Sequence, residues 1–207
     1  MLMFYISRIY CDILTHMIDV VILAGSPRKN GNTNWLVKEF AGELDALGKS
    51  YKILDLYDLN MKDCIACRTC QKDWERPACA FGDDEVFDTI LDAKAIVLAS
   101  PIYSWYCTAP AKALLDRCVY ALNKYYGDQG RGPSLWKGKR FALITTYGYP
   151  PEKGPDLLEE GMKRYCEHSQ LEYAGSFGAR HDGYTIDFPT EEKKAGIIAF
   201  ARKITEE

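Results

Sequence analysis

The sequence predicts an α/β domain: a doubly wound, five-stranded parallel sheet in strand order 2-1-3-4-5, covered by helices on both faces to give three layers. Three observations carry this. Short apolar runs alternate with amphipathic stretches along the 207 residues, the mark of repeated βα units and a parallel sheet. The runs, such as Val20-Val21-Ile22-Leu23 and Ala95-Ile96-Val97-Leu98, are continuously apolar, as strands buried on both faces are. Right-handed crossovers then favour an open sheet with a ligand crevice at the carboxyl ends of strands one and three.

The first strand is expected over 19–24. It runs into the small, polar turn Gly25-Ser26-Pro27-Arg28-Lys29-Asn30-Gly31, which opens a helix over 32–47. In that helix Trp35, Leu36, Phe40, Leu44 and Leu47 recur near helical spacing and read as core. A strand over 51–56 leads to a long connection, 57–83, that holds four cysteines, and then to a helix over 84–93. A strand over 95–99 precedes a loop rich in aromatics and a helix over 109–122, whose Ala111, Leu114, Leu115, Cys118 and Leu122 face the core. A second long connection, 123–138, contains Tyr125, Tyr126, Gly127, Gly130, Gly132 and Pro133. Strand 140–146, helix 155–168, strand 171–177 and helix 190–204 complete the pattern. Long connections in compact domains often carry function.

Composition narrows the possibilities. At 47% hydrophobic, the chain suits a single domain with a sizeable core, without internal repeats or low-complexity tracts. A net charge of -3, with basic residues scattered among acidic ones, supplies no field for nucleic acid or anionic lipid. Residues 1–16 are aromatic and apolar but interrupted by Arg8 and Asp12, so they read as neither a signal peptide nor a membrane span. They read as an N-terminal extension, either upstream of a native start at Met17 or forming a docking arm. The single domain then occupies 17–207. With no secretion signal, the expected compartment is the reducing cytoplasm.

The turn after the first strand reads as a phosphate cradle. Its small residues turn backbone N–H groups and hydroxyls toward an anion, and the helix N-terminus adds partial positive charge. Neither a G-x-x-x-x-G-K-[ST] nor a G-x-G-x-x-G pattern occurs, which disfavours an ordinary nucleotide triphosphatase or a Rossmann dehydrogenase. The loop resembles that of the flavodoxin-like NAD(P)H-dependent FMN reductases, matching G-S-x-R-x-x-[SG]-N-T at Gly25, Ser26, Arg28, Gly31, Asn32 and Thr33. Two further segments extend the resemblance. Pro101-Ile102-Tyr103-Ser104-Trp105, with the segment that runs on to Leu115-Asp116-Arg117, is similar to the second flavin loop of these reductases. Leu135-Trp136-Lys137-Gly138-Lys139-Arg140-Phe141-Ala142-Leu143-Ile144 is similar to their L-x-G-K-x-x-A-L-I strand.

The resemblance implies a flavodoxin-like fold binding FMN. Ser26, Arg28, Gly31, Asn32 and Thr33 would hold the phosphate, and Pro101, Ile102, Tyr103, Ser104 and Trp105 the ring. Thr146, Tyr147 and Gly148 either line the ring's polar edge or form a plain strand end before a flexible Gly-Pro loop. The alternative for Trp105 and Tyr106 is packing against a helix or a second subunit. The family's activity implies hydride transfer from NAD(P)H to FMN and onward to a quinone, a flavin or another small-molecule or protein acceptor. The cofactor carries that chemistry, so no catalytic acid, base or nucleophile is assigned. Relatives of this kind form dimers or tetramers. Trp105, Tyr106, Tyr125 and Tyr126 read as exposed aromatics suited to such a contact.

The run Cys64-x2-Cys67-x2-Cys70-x8-Cys79 suggests metal chemistry and not a disulfide framework. It resembles the compact motif of the iron-sulfur flavoproteins, with a longer last interval. Three occupants stand open: a 4Fe-4S cluster, free or redox-active thiols, and zinc. With a cluster the chain becomes an electron carrier using FMN and iron-sulfur. A third reading is a non-catalytic, flavodoxin-like redox or zinc sensor. Cys11 is isolated, Cys107, Cys118 and Cys166 read as packing residues or inert thiols, and His16, His168 and His181 receive no chemical role.

Overall fold

The computed structural model describes residues 17–82, 84–125, 132–183 and 185–206. The N-terminal extension, with Cys11 and His16, and Tyr126, Gly127 and Gly130 lie outside the described residues. The elements follow the expected order. They are β1 (Ile18–Ala24), α1 (Asn32–Ala46), β2 (Tyr51–Asp55), α2 (Asp84–Asp92), β3 (Ala93–Pro101), α3 (Ala109–Leu122), β4 (Arg140–Tyr147), α4 (Asp156–Ser169), β5 (Glu172–Arg180) and α5 (Glu191–Thr205). Short 3-10 turns at Thr69–Lys72 and Pro151–Lys153 were not foreseen.

All five strands pair in parallel, in the order β2-β1-β3-β4-β5. This is the flavodoxin-like arrangement, with its reversal of direction between β1 and β3. Successive side chains of a strand point to opposite faces, so each buried strand feeds two cores. Val20 and Ile22 pack with Leu36, Phe40, Leu44, Phe200 and Ile204 of α1 and α5. Val21 and Leu23 pack on the other face with Phe87, Ile90, Leu114, Leu158 and Met162 of α2, α3 and α4.

The structure corrects some expectations. Leu47 is the C-cap of α1 and is 41% exposed, because the helix ends before its side chain can turn inward. Trp35 is only half-buried, edge-on to Phe188 at 5.8 Å. The fifth strand continues past residue 177: Gly178, Ala179 and Arg180 pair with Thr145, Thr146 and Tyr147, and a register shift near Ala142 absorbs an extra residue. Gly175, at φ +114°, supplies the backbone conformation there.

At the opposite end from the crevice, Asp19 accepts from Lys94 Nζ at 2.8 Å and from the backbone N and hydroxyl of Ser50, each at 2.9 Å. The Lys94 ammonium and these donors lower the Asp19 pKa to about 2. A depressed folded-state pKa means that the contribution is complete above the unfolded value near 3.8 and is lost as pH falls toward 2. In Asp19→Asn the acid limb of the unfolding curve should therefore be flatter than in wild type between pH 4 and pH 2. Equal pH dependence of denaturant midpoints would refute this.

Candidate functional site

The carboxyl ends of β1, β3, β4 and β5 surround a cavity of about 500 Å3, within the range of small-molecule and cofactor sites. Ser26, Arg28, Gly31, Asn32 and Thr33 form one wall. Pro101, Ile102 and Tyr103 form a second, and Thr146, Tyr147 and Gly148 a third. Eleven of the thirteen residues expected from sequence thus meet in one place.

The first wall is a backbone turn folded around one carbonyl. The oxygen of Arg28 accepts from Gly31 N at 2.8 Å and from Asn34 Nδ2 at 2.9 Å. Asn34, which sequence reasoning passed over, thereby locks the loop from inside α1. Gly31 is the N-cap of α1, in extended backbone, and its side offers no capping hydrogen bond. The first amides of α1 therefore keep their donors for an anion, reinforced by the helix dipole. A Cβ at Gly31 would stand 2.9 Å from Arg28 Cβ and 3.1 Å from its carbonyl oxygen, so this close approach requires glycine. The exposed Arg28 guanidinium sits at the rim. No acidic residue lines the cavity among the described residues, so the cradle suits a phosphate monoester. Lys29 fastens the same loop to the end of β2, with its ammonium 2.6 Å from Asp55 and 2.7 Å from Asp58.

The three walls are tied together. The hydroxyls of Thr33 and Thr146 lie 2.7 Å apart in the buried floor. Thr108 Oγ1 donates to Gly25 O at 2.7 Å, and Ser100 Oγ accepts from Thr108 N at 3.1 Å. Such satisfied polar links fix loop positions at the point where the sheet changes direction.

The second wall is a tight hairpin. Tyr103 and Tyr106 exchange backbone hydrogen bonds of 2.9 and 3.0 Å, and Ser104 and Trp105 both adopt positive φ, 50° and 63°. Two successive left-handed residues are the geometry of a type I′ turn, which non-glycine residues adopt at some cost. Ser104 and Trp105 lie at its tip and do not line the cavity. The turn carries them outward: Trp105 is 42% exposed, stacks on Tyr149 with ring centroids 5.0 Å apart, and donates to Lys153 O at 3.0 Å. The backbone N–H of Ile102 donates to Thr146 O at 2.8 Å, and that of Tyr103 is used in the hairpin. The amides of these two residues are thus already paired within the chain and are not left free as in a flexible loop.

Two lining residues were missed. Tyr149 joins the mouth through its stack with Trp105. His181 is brought in because β5 runs on, its N–H donating to Tyr147 O at 2.8 Å. The extra strand length was the available signal. A side cleft of about 280 Å3 shares Arg28, Asn32 and His181 with the main cavity and extends toward Ile186, Asp187 and Phe188. Of the aromatics expected to be exposed, Tyr106 and Tyr125 are partly buried, Tyr125 edge-on to His168 at 5.6 Å. Both rings find packing partners inside their own chain.

The cysteine connection forms a separate site. Cys64, Cys67, Cys70 and Cys79 line one small cavity of about 20 Å3, with Ile65, Ala66, Ala80, Phe81, Arg117 and Tyr120 among its walls. Ala66, Arg68 and Ala78 take positive φ of 53°, 59° and 48°, sharp turns in the connection that carries the four cysteines. Among the described residues no three His, Cys, Asp or Glu side chains close on a point as they would around a single metal ion. The donor set, four thiols with no carboxylate or imidazole in the lining, is one that a cubane cluster with its four separate corners accepts and that zinc also accepts. Hydrogen bonds from Thr69 hold the exposed Cys67 thiol below its usual pKa, and burial raises that of Cys70. Burial also pushes Cys107 and Cys166 up to about 12 and raises Cys118, so these three behave as inert packing groups.

A flavodoxin-like sheet with a cavity at its switch point, walled by an uncapped helix start and by aromatic side chains, belongs to the class of proteins that suit a phosphate-bearing planar ligand such as flavin mononucleotide. Residues 18–153 match the family model of the NADPH-dependent FMN reductases, and the chain belongs to that family. It is 34% identical over 157 residues to an iron-sulfur flavoprotein of Archaeoglobus fulgidus, covering 75% of this chain and 67% of that protein. It is also 34% identical over 100 residues to an iron-sulfur flavoprotein of Methanocaldococcus jannaschii, covering 47% and 50%. The chain thus spans about half to two thirds of the length of these relatives. In fold it is similar to an NAD(P)H:quinone oxidoreductase from Methanothermobacter marburgensis, with a TM-score of 0.64 and 18% identity over 91% of this chain and 98% of that one. Among the described residues no helix is long and apolar enough to cross a membrane.

Proposed function

We propose that residues 17–207 form one FMN-binding domain that oxidises NAD(P)H and passes the electrons to an acceptor, with Cys64, Cys67, Cys70 and Cys79 holding a 4Fe-4S cluster. The observation that carries this reading is the convergence of three separate loops on one cavity, whose phosphate wall presents uncapped helix amides beside Arg28. The flavin, when bound, supplies hydride acceptance and one- or two-electron release. The cluster supplies one-electron transfer.

The chain's own residues position and exclude. Ser26, Arg28, Gly31, Asn32 and Thr33 bind the phosphate. Pro101, Ile102 and Tyr103 on one side, and Thr146, Tyr147 and Gly148 on the other, confine a flat ring and keep water from its faces. The tip residues Ser104 and Trp105 act from outside the cavity, where the Trp105–Tyr149 stack forms a rim for an incoming planar substrate. The side cleft beyond Arg28 and His181 offers room for the polar part of a dinucleotide donor. No proton-transfer residue is required. We place the working unit as a homodimer or homotetramer in the cytoplasm, with exposed Trp105 at the contact.

The test is the spectrum and metal content of anaerobically purified protein. Flavin bands that bleach on NADPH addition, over a broad brown absorption with about four iron and four sulfide per chain, are expected. A colourless protein that takes up no added FMN would refute the reading. Flavin without iron would select the redox-thiol alternative, which the lowered pKa of exposed Cys67 favours. Iron content thus separates the two.

A further inference from the structure

Two cations stand behind the cysteine cavity, and both are withdrawn from water. Arg117, on α3, and Lys124, two residues past its end, are each 1% exposed. Burying a guanidinium and an ammonium costs several kcal/mol apiece unless negative charge or good acceptors compensate. Each meets an acceptor of the cysteine loop. Arg117 Nη2 donates to Cys79 Sγ at 3.2 Å and to Gly82 O at 2.9 Å, its guanidinium lying 5.8 and 5.5 Å from the ring centroids of Phe81 and Phe87. Lys124 Nζ donates to the carbonyl of Cys70 at 2.8 Å. A neutral thiol is a weak acceptor, whereas a metal-bound thiolate is a strong, charged one.

We infer that Arg117 and Lys124 are the counter-charges of the cysteine site, and that they hold the reduction potential of its cluster up. The inference rests on the cluster reading proposed above. An oxidised cubane with four thiolates is a dianion, and one electron added without a proton makes it a trianion. Buried cations next to the ligating residues stabilise the more negative state more strongly, because charges interact strongly away from water. Both residues act through the ligands and are positioning residues. The rings of Phe81 and Phe87 flank the Arg117 guanidinium.

The test is a spectroelectrochemical titration, with dithionite as reductant, of anaerobically reconstituted wild type, Arg117→Lys, Arg117→Gln, Lys124→Arg and Lys124→Gln. The neutral variants should disfavour the reduced cluster at least tenfold, about 59 mV lower per tenfold for a one-electron couple. The charge-keeping variants should stay near wild type. Purely structural roles would make loss follow side-chain shape and leave the potential indifferent to charge. If the neutral variants cannot keep the cluster while the charge-keeping ones do, the iron content itself reads the charge requirement and supports the inference. Equal potentials in neutral and charge-keeping variants overturn it, as does loss of iron in both kinds. A wild type that binds FMN but no iron and sulfide overturns the cluster reading as well, so the two failures are distinct.

Discussion

Gly31→Val should lower FMN affinity about a hundredfold, roughly 2.8 kcal/mol, while far-ultraviolet circular dichroism stays unchanged. Valine suits the extended backbone of this N-cap, so the loss does not come from conformational strain. It comes from contact: a Cβ there meets Arg28 Cβ at 2.9 Å and the Arg28 carbonyl at 3.1 Å, both close to the main chain and unable to swing aside. The loop has to open, and the amides of α1 lose the geometry that lets several of them reach one phosphate. Gly42→Ala in the same helix is the control. Nothing lies within 4 Å of a Cβ at that position, and alanine in a helix interior should be neutral or stabilising by up to about 1 kcal/mol. Fluorescence titration of apoprotein with FMN reads both. Unchanged affinity in Gly31→Val would place the phosphate elsewhere.

Trp136→Ala should cost about 3–5 kcal/mol of stability, measured as the loss in unfolding free energy in urea. Trp136 is among the largest fully buried side chains, packed edge-on to Tyr165 with centroids 5.9 Å apart. Its Nε1 donates to Asn123 Oδ1 at 2.8 Å. Asn123, wholly buried, also accepts from Ser134 Oγ and donates to Ser169 Oγ, each at 3.2 Å, and its carbonyl accepts from Gln71 Nε2 at 3.2 Å. Removing the indole opens a large void and deprives this junction of a donor. Because Gln71 adjoins Cys70, part of the loss should fall on the cysteine loop. Trp136→Phe, which keeps most of the volume and drops the donor, should cost clearly less. A cost below about 1 kcal/mol for alanine would contradict the packing described here.

The strands, the helices and the turn after β1 were legible because they rest on local signals: continuous apolar runs, helical spacing, and a polar turn between them. The hairpin at Tyr103–Tyr106 was not, since neither Ser104 nor Trp105 announces a left-handed conformation that only the paired backbone on either side enforces. This is why those two residues were expected to hold the ring and instead sit outside the cavity. His181 was missed because the fifth strand was expected to stop at residue 177, while pairing with β4 keeps Gly178, Ala179 and Arg180 in the sheet. Leu47 was expected in the core because its spacing suits α1; the helix simply stops first. Arg117 and Lys124 show the opposite limit. Charged residues on and beside a helix read as solvent-facing, and only the folded cysteine loop across them reveals the burial.

None of the cysteine connection's residues lines the flavin cavity among the described residues, and none of the three cradle loops lines the cysteine cavity. The two sites therefore share no lining residue and stand on separate loops of one scaffold. A descendant could shorten the β2–α2 connection and discard its thiols while its nucleotide cradle survived, or vary the acceptor-facing rim with the metal ligands left alone. If the loop holds a cluster as proposed, editing that single loop would exchange one-electron for two-electron partners.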